Sequence, residues 1–533
     1  SNESVSSDET EEESDNEEFH DTSTQLEPTI PTSEDTHVPS TQVEVPQRSS
    51  GRIRRQPGYL QDYELNLLAL SAGCLPSEIP TSYKEAVKDD SWKVAIQGEL
   101  DNMASNGTWE IVPMPKNQTI IDSKWVFRQK MNNDVAIKRA RLVARGFMED
   151  TSDLSGSDLY APVARMSTLR LLLAIAVEEN LLFYQYDVKA AFLCGYLDRP
   201  VFMKPPKGLV VPTGHVCKLV KSLYGLKSAP KTWNTTLNEQ LLTMGLLRSK
   251  VDPCLYHKGS TYMLIWVDDL IVFTNNASEA DFIKKQLESK FKLNDLPNSK
   301  NTKFLGIEIT KTRNGLFLSQ KGLIEKVIEK FGMVDGRMSK IPIQPKLYLQ
   351  RHSGSSSNAP YKELLGSLMY LMTGTRPDLG YSVSYFGRFQ NDFSDEHFKY
   401  LKNVLRYLSY TKKFGLLYKK SNNSKFVIHA YSDADYGMDP VDRKSVSGFV
   451  IKLNENTISW KSKKQQVVSR SSSESEYIAM SLCLSECIFT KQLLNASLKL
   501  VTGPMYLYED NQSAINMAES LETKRSKHID IHH

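Results

Sequence analysis

The fold of this chain is decided by a stretch of thirteen residues, Tyr262-Met263-Leu264-Ile265-Trp266-Val267-Asp268-Asp269-Leu270-Ile271-Val272-Phe273-Thr274. Two apolar runs, rich in β-branched and aromatic residues, flank a pair of adjacent aspartates. Each run is too short for a helix of normal length, so the pattern predicts two strands joined by a tight turn. Neither run alternates cleanly with polar residues, which predicts that both strands are covered on both faces.

The pair Asp268 and Asp269 allows two interpretations. Two carboxylates at the tip of a buried hairpin repel each other unless positive charge lies beside them, and hard oxygen ligands of this kind suit Mg²⁺. Taken alone, the pair is explained more simply as turn residues, because Asp tolerates turn geometry and short motifs often match by chance. The rest of the chain decides between a turn and a metal site.

The charge of the chain is unevenly divided. Residues 1–47 hold fourteen Asp or Glu and no Lys or Arg, so residues 48–533 carry +17 within a net charge of +3. A basic body of this size indicates a polyanionic partner, with nucleic acid the first candidate, although ordinary solvated lysines would give the same total. The 533 residues allow three or four domains at about 100–200 residues each.

Two further features of composition limit the class of protein. The six cysteines are scattered without paired zinc spacing, which indicates reduced thiols in an intracellular protein. No apolar run approaches the ~18 residues that cross a membrane. Residues 1–47 contain almost no large apolar side chains to offset ordering entropy, so we expect them to be disordered. A basic cluster follows that fits a nucleic-acid contact or a linker end equally; it consists of Arg48, Arg52, Arg54 and Arg55.

The globular pattern begins near Tyr83. Residues 83–103 have helical periodicity, with one apolar face formed by Ala86, Trp92, Ile96 and Leu100. Residues 109–112 and 124–128 are predicted strands. A predicted strand or hairpin over residues 138–147 then carries four cations, which are Lys138, Arg139, Arg141 and Arg145. These side chains are suited to gripping a triphosphate, and a solvated basic edge strand has the same composition.

A third acid, Asp187, ends a predicted strand and precedes small residues. A helix N-cap and a third carboxylate for the site of Asp268 and Asp269 explain it equally. A Leu-rich helix over residues 168–177 leads to this strand. Residues 223–230 predict a loop that opens a helix with Trp233 and Leu237 on its inner face. Residues 303–309 and 316–318 predict a further hairpin with its turn near residues 314–315.

The last part of the chain changes from helical to mixed. Residues 320–420 are predicted to be mainly helical, with helices over residues 361–372 and 398–410. Beyond residue 420 the predicted order is βββαβα, which gives a mixed sheet. Three acids at separate element ends would together build a second two-metal site of the kind that nucleases use; they are Asp433, Glu476 and Asp510.

Each of these three acids also has a simple structural explanation. Ser473 and Glu476 have the spacing of a capping box, and Asp510 suits the cap of the next helix. Asp433 suits a turn, and Asp435 is an alternative ligand.

Taken in order, these blocks resemble the polyprotein of Copia-type (Pseudovirus-like) LTR retrotransposons. The resemblance covers roughly residues 52–533: the tail that joins integrase to reverse transcriptase, the reverse transcriptase, and most of its RNase H. The matching blocks are residues 140–147, 187–193, 223–227, 267–269, 375–378, 442–445, 475–477 and 527–531.

The resemblance implies a multidomain fold of the α+β and α/β classes. A reverse-transcriptase right hand of fingers, palm and thumb would precede an RNase H-like mixed-sheet domain. The implied domains are a disordered acidic segment with a basic end (1–57), fingers and palm (58–320), a helical thumb or connection (321–425) and the RNase H-like domain (426–533).

The resemblance also implies the functional residues. Asp187, Asp268 and Asp269 would be polymerase carboxylates that hold two Mg²⁺, with Mn²⁺ as the alternative. The ring of Phe192 would exclude a ribose 2′-hydroxyl, although Phe192 also fits an ordinary core position. The implied nucleotide contacts are Lys138, Arg139, Arg141, Ala190, Ala191 and Phe192. The implied primer grip is Phe304, Leu305 and Gly306. Two further metal ions would lie among the RNase H acids Asp433, Glu476 and Asp510.

The implied function is RNA-directed DNA synthesis by two-metal nucleotidyl transfer. Its partners would be an RNA template, a DNA or tRNA primer, dNTPs and an RNA–DNA hybrid, with no membrane. Its location would be a cytoplasmic virus-like particle or the nucleus. The alternative is a catalytically decayed remnant that keeps the fold and the basic groove and only binds nucleic acid.

Two departures from the family pattern modify these expectations. Trp266 stands where family members usually have Tyr, and we expect the larger ring to alter fidelity or rate. The chain ends at His533, before the family's last RNase H strand, helix and aspartate, and it holds no capsid, protease or integrase core. On this basis we expect DNA synthesis with little or no cleavage of the RNA strand.

Overall fold

The computed structural model of the chain describes residues 79–132, 135–295, 301–354, 357–422, 425–439 and 441–519. The predicted acidic segment, its basic cluster and the motif at residues 527–531 lie outside the described residues. Within them, helices and several sheets form a mixed α/β architecture. No helix in this part of the chain is long and apolar enough to cross a membrane.

The first part of the described chain contains a long antiparallel strand pair. Its elements are α1 (Tyr83–Ala86), α2 (Asp90–Ser105), β1 (Trp109–Pro113), β2 (Ile120–Ile121), β3 (Ser123–Asn132) and β4 (Val135–Ala144). β3 pairs with β4, and α2 packs against β4. The prediction of one helix over residues 83–103 is wrong, because Asp89 is extended and caps α2 by accepting the Ser91 N–H at 2.8 Å. The predicted inner face is confirmed by the burial of Ala86, Trp92, Ile96 and Leu100.

The central part is organised around the predicted hairpin. Its elements are α3 (Met166–Glu178), β5 (Leu182–Val188), β6 (Tyr196–Met203), β7 (His215–Lys221), α4 (Ala229–Thr243), β8 (Leu247–Arg248), β9 (Leu255–Lys258), β10 (Thr261–Trp266), β11 (Asp269–Thr274), α5 (Ala277–Glu288) and β12 (Leu293–Asp295). The hairpin is confirmed as β10 and β11, with Trp266 opposite Asp269. The order β12-β5-β11-β10-β9-β8 places it inside the sheet, and its strands are buried apart from these two residues. A separate sheet has the order β1-β7-β6-β2.

The third part joins a sheet to a group of helices. Its elements are β13 (Asn301–Phe304), β14 (Ile307–Thr312), β15 (Gly315–Ser319), α6 (Lys321–Lys330), α7 (Tyr361–Gly374), α8 (Gly380–Gly387), α9 (Asp395–Tyr410) and β16 (Leu416–Lys419). The prediction of one strand over residues 303–309 is wrong, because Leu305 and Gly306 have φ of 48° and 69° and turn the chain between β13 and β14. The turn at residues 314–315 is confirmed. The segment predicted as helical also contains β16, which pairs with β15.

The last part forms the predicted mixed sheet. Its elements are β17 (Phe426–Asp435), β18 (Val446–Leu453), β19 (Asn456–Lys464), α10 (Ser472–Gln492), β20 (Thr502–Tyr508) and α11 (Gln512–Glu519). The order is β19-β18-β17-β20, and β20 runs parallel to β17, which confirms βββαβα. The capping box predicted for Ser473 and Glu476 is wrong. Ser471 caps α10 by accepting the Glu474 N–H at 3.2 Å, while Glu474 accepts the Arg470 N–H at 2.8 Å.

One hydrophobic core joins the central sheet to the last sheet. Buried side chains of α3, including Leu172, belong to the same cluster as Phe273 of β11 and Leu318 of β15. That cluster continues through Ile451 of β18 to Cys487 of α10. Because apolar burial is the main favourable term in folding, these parts stabilise one another and are expected to unfold together.

A buried arginine crosses the same interface. Arg170 of α3 is 4% exposed, and its Nε–H donates to the Ile458 carbonyl at 2.7 Å. Its Nη1 donates to the carbonyls of Thr373 at 2.5 Å and Gly374 at 3.0 Å. The guanidinium lies 3.8 Å from the ring centre of Trp460. Burial lowers the pKa of Arg170 to about 10, so the side chain stays protonated at neutral pH. One cation therefore ties α3 to the end of α7 and to β19.

We predict that Arg170→Met lowers the free energy of unfolding by about 3 kcal/mol, because it leaves buried carbonyls without a donor. Urea denaturation followed by circular dichroism measures the change. Arg313→Met is the matched control, since Arg313 is exposed and should change the free energy by less than about 0.5 kcal/mol. Equal stability of the two variants would contradict the bridging role of Arg170.

Candidate active site

Strand pairing brings the three predicted polymerase acids to the same end of neighbouring strands in the central sheet. β5 pairs antiparallel with β11, and this register sets Asp187 directly opposite Asp269. Asp268 lies in the turn between β10 and β11, next to Val267, whose φ is 59°. Opposed residues of an antiparallel pair lie on the same face. Asp187 and Asp269 therefore share a face, and Asp268 precedes Asp269 directly in the chain.

The turn that carries Asp268 is held from two sides. The indole N–H of Trp233, on α4, donates to the Val267 carbonyl at 2.6 Å. The backbone N–H of Val188 donates to the Asp268 carbonyl at 3.0 Å. Trp233 is buried, as predicted for the inner face of its helix. These contacts fix the left-handed backbone at Val267, which a β-branched residue does not adopt readily.

The electrostatics of this edge are those of an acidic site. Burial, followed by the charges of Asp268 and Asp187, raises the pKa of Asp269 to about 7. Burial also raises the pKa of Asp268; its own backbone N–H and Arg141 oppose the rise, and Asp187 adds to it. Carboxylates that hold protons against mutual repulsion are stabilised by a nearby cation. Carboxylate oxygens are the ligands that a hard divalent ion such as Mg²⁺ prefers.

Asn294 contacts this site and was not predicted from the sequence. It lies opposite Asp187 on β12, and its side-chain amide donates to Asp187 Oδ2. The register of β12 against β5 decides this contact, and no local pattern around residue 294 indicates it. One oxygen of Asp187 is thus engaged by a neutral donor.

The predicted basic run divides between the two faces of β4. Lys138 contacts Asp89 at 2.5 Å and the Ser91 hydroxyl at 2.6 Å, and it lies over the ring of Trp92. Arg139 and Arg141 share the opposite face, because neighbouring side chains of a strand alternate. The structure therefore does not bring the three predicted triphosphate contacts together, since Lys138 is engaged by α2 and its N-cap.

A further arginine joins Arg139 and Arg141. Arg128 of β3 lies directly opposite Arg139. Burial, together with the charge of Arg141, lowers the pKa of Arg128, as expected for neighbouring cations. Alternation of side chains along β3 was the only sequence signal for the position of Arg128. It could be used only once the register of β3 against β4 was known. These side chains form what we call the arginine face, which consists of Arg128, Arg139 and Arg141.

An aromatic pair contacts the arginine face. The guanidinium of Arg141 is 5.2 Å from the ring centre of Tyr224, and the ring of Phe192 meets Tyr224 edge-on at 4.8 Å. Burial raises the pKa of Tyr224 to about 12; Arg141 opposes this rise, and Asp268 adds to it. Ala190 has φ of 52° and precedes the 3-10 turn Ala191–Cys194 that carries Phe192. Phe192 is half-buried.

Two glycines allow the loop of Tyr224 to approach β4. A Cβ on Gly225, which has φ of 95°, would lie 2.2 Å from the Ala144 carbonyl oxygen. A Cβ on Gly146 would lie 2.0 Å from the Gly225 oxygen. The same loop is held by buried Glu149, which accepts the Lys227 N–H at 2.7 Å. The glycines in residues 140–147 and 223–227 therefore allow a close backbone contact between these two blocks.

The predicted primer-grip residues lie at the turn between β13 and β14. Phe304 is fully buried and belongs to the core that includes α3. Leu305 and Gly306 are half-buried, and the Tyr370 hydroxyl donates to the Leu305 carbonyl. Leu305 and Gly306 are therefore accessible to a nucleic-acid strand, whereas the buried ring of Phe304 is not.

The three acids of the last sheet converge. One carboxylate oxygen from each of Asp433, Glu476 and Asp510 lies within 4.8 Å of the other two. Asp433 lies within β17 rather than after it, and Asp435 accepts the Val446 N–H at 2.5 Å. The predicted cap at Asp510 is wrong, because the adjacent Asn511 accepts the Ala514 N–H.

Glu476 is the buried member of this cluster. Its side-chain Oε2 is buried and has no hydrogen-bond partner among the described residues. Burial, followed by the charges of Glu509 and Asp433, raises the pKa of Glu476 to about 7. Glu509, which was not predicted, accepts the Ser432 hydroxyl at 2.8 Å. An orphaned carboxylate oxygen among further acids fits a cation site.

We predict a pH-dependent stability difference between the wild type and Asp269→Asn, measured as melting temperatures in the presence of a chelator. Folded Asp269 keeps its proton up to a pKa of about 7, whereas the ordinary value is 3.8. Folding therefore becomes less favourable as pH rises from about 4 to about 7. The wild type should lose stability relative to Asp269→Asn across this window.

The control for this measurement is Asp281→Asn, which replaces an exposed aspartate on α5. Its stability difference from the wild type should stay nearly constant over the same pH range. A constant difference for Asp269→Asn as well would contradict the burial and charge crowding of Asp269.

Comparison with known proteins identifies relatives of this chain. A family model described as reverse transcriptase (RNA-dependent DNA polymerase) matches residues 106–345. The retrovirus-related Pol polyprotein from transposon RE1 of Arabidopsis thaliana is 34% identical over 494 residues, covering 90% of this chain and 33% of the polyprotein. The putative transposon Ty5-1 protein of Saccharomyces cerevisiae is 31% identical over 310 residues, covering 56% of this chain and 99% of that protein.

These comparisons also show how much of its relatives' length the chain spans. It spans about a third of the length of the retrotransposon polyproteins it matches. Among solved structures, a foamy viral protease-reverse transcriptase in complex with an RNA/DNA hybrid covers 80% of this chain and 54% of its own, with 13% identity and a TM-score of 0.43. Because nearly the whole Ty5-1 protein matches at 31% identity, this chain belongs to the Ty1/copia-type retrotransposon Pol polyproteins and contains their reverse transcriptase region.

Proposed function

We propose that this chain is an RNA-directed DNA polymerase that extends a DNA or tRNA primer on an RNA template. The pairing of Asp187 with Asp269, beside Asp268 in the turn, is the observation that carries this proposal. In this proposal β3 and β4 belong to the fingers, the central sheet is the palm, residues 321–425 form the thumb and connection, and residues from 426 onward form an RNase H-like domain.

The acids Asp187, Asp268 and Asp269 would hold two Mg²⁺ ions. When bound, such ions lower the pKa of the primer 3′-hydroxyl and stabilise the charge of an in-line phosphoryl transfer. The chain itself contributes the positions of the ligands. Trp233 and Val188 hold the turn of Asp268, and the buried strands around it resist displacement.

The arginine face would bind the triphosphate of the incoming dNTP. Arg141 is the member whose charge acts on Asp268, so it is best placed to meet a phosphate beside the metal site. Arg139 and Arg128 lie on the same side of the strand pair and would extend the contact. Guanidinium groups suit this role because they donate two hydrogen bonds in the plane of a phosphate edge.

Phe192 would select the sugar. Its ring packs edge-on against Tyr224, which in turn lies under Arg141, so its position is fixed relative to the triphosphate contacts. A ring fixed beside the sugar would clash with a 2′-hydroxyl and admit deoxynucleotides. Ala190 and Ala191 would leave room for the sugar next to this ring.

The alternative proposal is a remnant that binds nucleic acid without catalysis. It requires the basic face but not the acids. Acids kept at all three positions, and a turn supported by Trp233, favour the polymerase. Primer extension separates the two functions, because only the polymerase adds nucleotides.

We predict that Asp268→Asn reduces primer extension on an RNA template at least ~100-fold, because it removes a carboxylate that would hold the Mg²⁺ ions on which the phosphoryl transfer depends. Binding of template and primer should change less than about twofold, since it rests mainly on phosphate contacts by cations. Single-nucleotide extension and a filter-binding assay measure the two effects. Asp281→Asn is the control and should extend normally. Extension by Asp268→Asn at a rate near that of the wild type would refute the assignment.

A second prediction concerns the sugar. Phe192→Val should lower discrimination against ribonucleotides by about tenfold or more while dNTP incorporation continues, because the excluding ring is gone. The ratio of kcat/KM for dNTP and rNTP measures this. Phe282→Val, at a 41% exposed ring on α5, is the control. Unchanged discrimination in a folded Phe192→Val protein would assign Phe192 to packing alone.

The convergence of Asp433, Glu476 and Asp510 supports a second proposed site, which would hold a divalent ion in an RNase H-like domain. The orphaned oxygen of Glu476 supports such an ion, and we expect little or no cleavage of the RNA strand of a hybrid. The matching test is Mn²⁺ binding, because Mn²⁺ is detected directly by electron paramagnetic resonance.

We predict that adding Glu476→Gln to Asp268→Asn weakens residual Mn²⁺ binding at least ~10-fold. The Asp268→Asn background is used to weaken Mn²⁺ binding at the polymerase acids, so that the measured binding reports on the second cluster. Adding Glu288→Gln instead, at an exposed position of α5, should have no effect. Equal Mn²⁺ affinity in both double variants would show that the second cluster does not hold the ion.

A further inference from the structure

A cavity of about 430 Å³ lies between the helices of the third part and the sheet of the last part. The chain before α7 and the end of α8 form one wall, and the segment after β17 with the end of β19 forms the other. The volume is typical of small-molecule sites. None of the six predicted catalytic acids lines this cavity, so its chemistry is separate from both acidic clusters.

Asp439 organises the charged wall of the cavity. It is 5% exposed, and its Oδ2 accepts Arg388 Nη1 at 2.5 Å and Lys464 Nζ at 2.6 Å. Its Oδ1 accepts the Val441 N–H at 2.9 Å. Both oxygens are therefore engaged, and Asp439 holds two cations at the cavity from opposite parts of the chain. It is not itself available to a ligand.

The charged wall keeps an excess of donors. The lining contains two acids, Asp439 and Asp442, and four cations, Arg351, Arg388, Lys444 and Lys464. An anion that enters the cavity would balance the net positive charge of its lining.

Aromatic side chains also line the cavity, on the wall formed by the chain before α7 and the end of α8. Tyr385 and Phe389 are 6% and 5% exposed, with ring centres 5.5 Å apart. The Tyr385 hydroxyl accepts the Leu349 N–H and donates to the Leu347 carbonyl, both at 3.0 Å, which fixes its ring. Tyr348 is 47% exposed at the same cavity. An exposed ring beside a rigid apolar wall offers a surface on which a flat group stacks.

We propose that this cavity binds one nucleotide unit, with its phosphate at Arg388 and Lys444 and its base on Tyr348. A phosphate meets the excess positive charge, and a base meets the exposed ring. The unit comes either from a free nucleoside monophosphate or from a single strand of nucleic acid. The shared chemistry is a phosphate joined to an aromatic base.

The test is equilibrium binding to the full chain of fluorescent AMP, and in a second arm of a fluorescent ten-nucleotide single strand, both with a chelator present. Tyr348→Ala and Lys444→Gln should each weaken the binding about tenfold. Tyr410→Ala, at a 51% exposed ring on α9, is the matched control and should not change it. Melting temperatures check that each variant is folded.

The outcomes separate the sources and the alternatives. Pocket-dependent binding of AMP identifies a free nucleotide as sufficient, and pocket-dependent binding of the strand alone identifies the strand as the source. Competition by inorganic phosphate as strong as that by unlabelled AMP would reduce the cavity to an anion site and overturn the nucleotide proposal. Binding that survives Tyr348→Ala and Lys444→Gln but is lost in Arg141→Gln belongs to the arginine face and also overturns it. No saturable binding in either arm has the same consequence.

Discussion

Repulsion between carboxylates is the constraint on which the central part of the molecule depends. The antiparallel register of β5 and β11 sets Asp187 opposite Asp269, and the turn adds Asp268. Such an arrangement is unfavourable without a cation, so it persists only because the surroundings hold it. Buried strands on both sides and the indole of Trp233 supply that support. Burial, followed by the charges of Asp268 and Asp187, raises the pKa of Asp269.

The same packing extends well beyond the acids. A hydrophobic cluster runs from α3 through β15 to α10, and Arg170 crosses it with bonds to the ends of α7 and β19. The two acidic clusters are therefore parts of one packed body rather than of separate units on a linker. In the proposed function, a polymerase site and a nuclease-like site would act on the same nucleic acid at a set separation. The cavity organised by Asp439 lies at another boundary between these parts.

Local patterns in the sequence predicted much of this structure. Apolar runs around Asp268 predicted the hairpin, and helical periodicity predicted the buried face of Trp92. Predictions failed where a single residue overrides periodicity. Asp89 divides a predicted helix, and Leu305 with Gly306 divides a predicted strand, because backbone conformation at these points is not encoded in apolar spacing.

Contacts between distant segments were harder to predict. Asn294 reaches Asp187 across 107 positions, and Arg128 faces Arg139 only through the register of the hairpin. Lys138 was grouped with Arg141 by composition, yet strand alternation sends it to Asp89. Arg170 appeared as one polar residue in a Leu-rich helix, and its role depends on carbonyls that lie about two hundred or more positions away. Register and long-range packing decide such contacts, and a single sequence carries little signal for them.

We propose that Asp187 and the two aspartates of the hairpin catalyse DNA synthesis. The most direct measurement is extension of a labelled DNA primer annealed to an RNA template, by the wild-type chain with dNTPs and Mg²⁺. We expect template-directed extension that stops when Mg²⁺ is removed by a chelator and resumes when it is restored. The opposite result would be a folded protein that binds the primer and template tightly but incorporates no nucleotide at saturating Mg²⁺ and dNTP. That result would contradict the proposed catalysis.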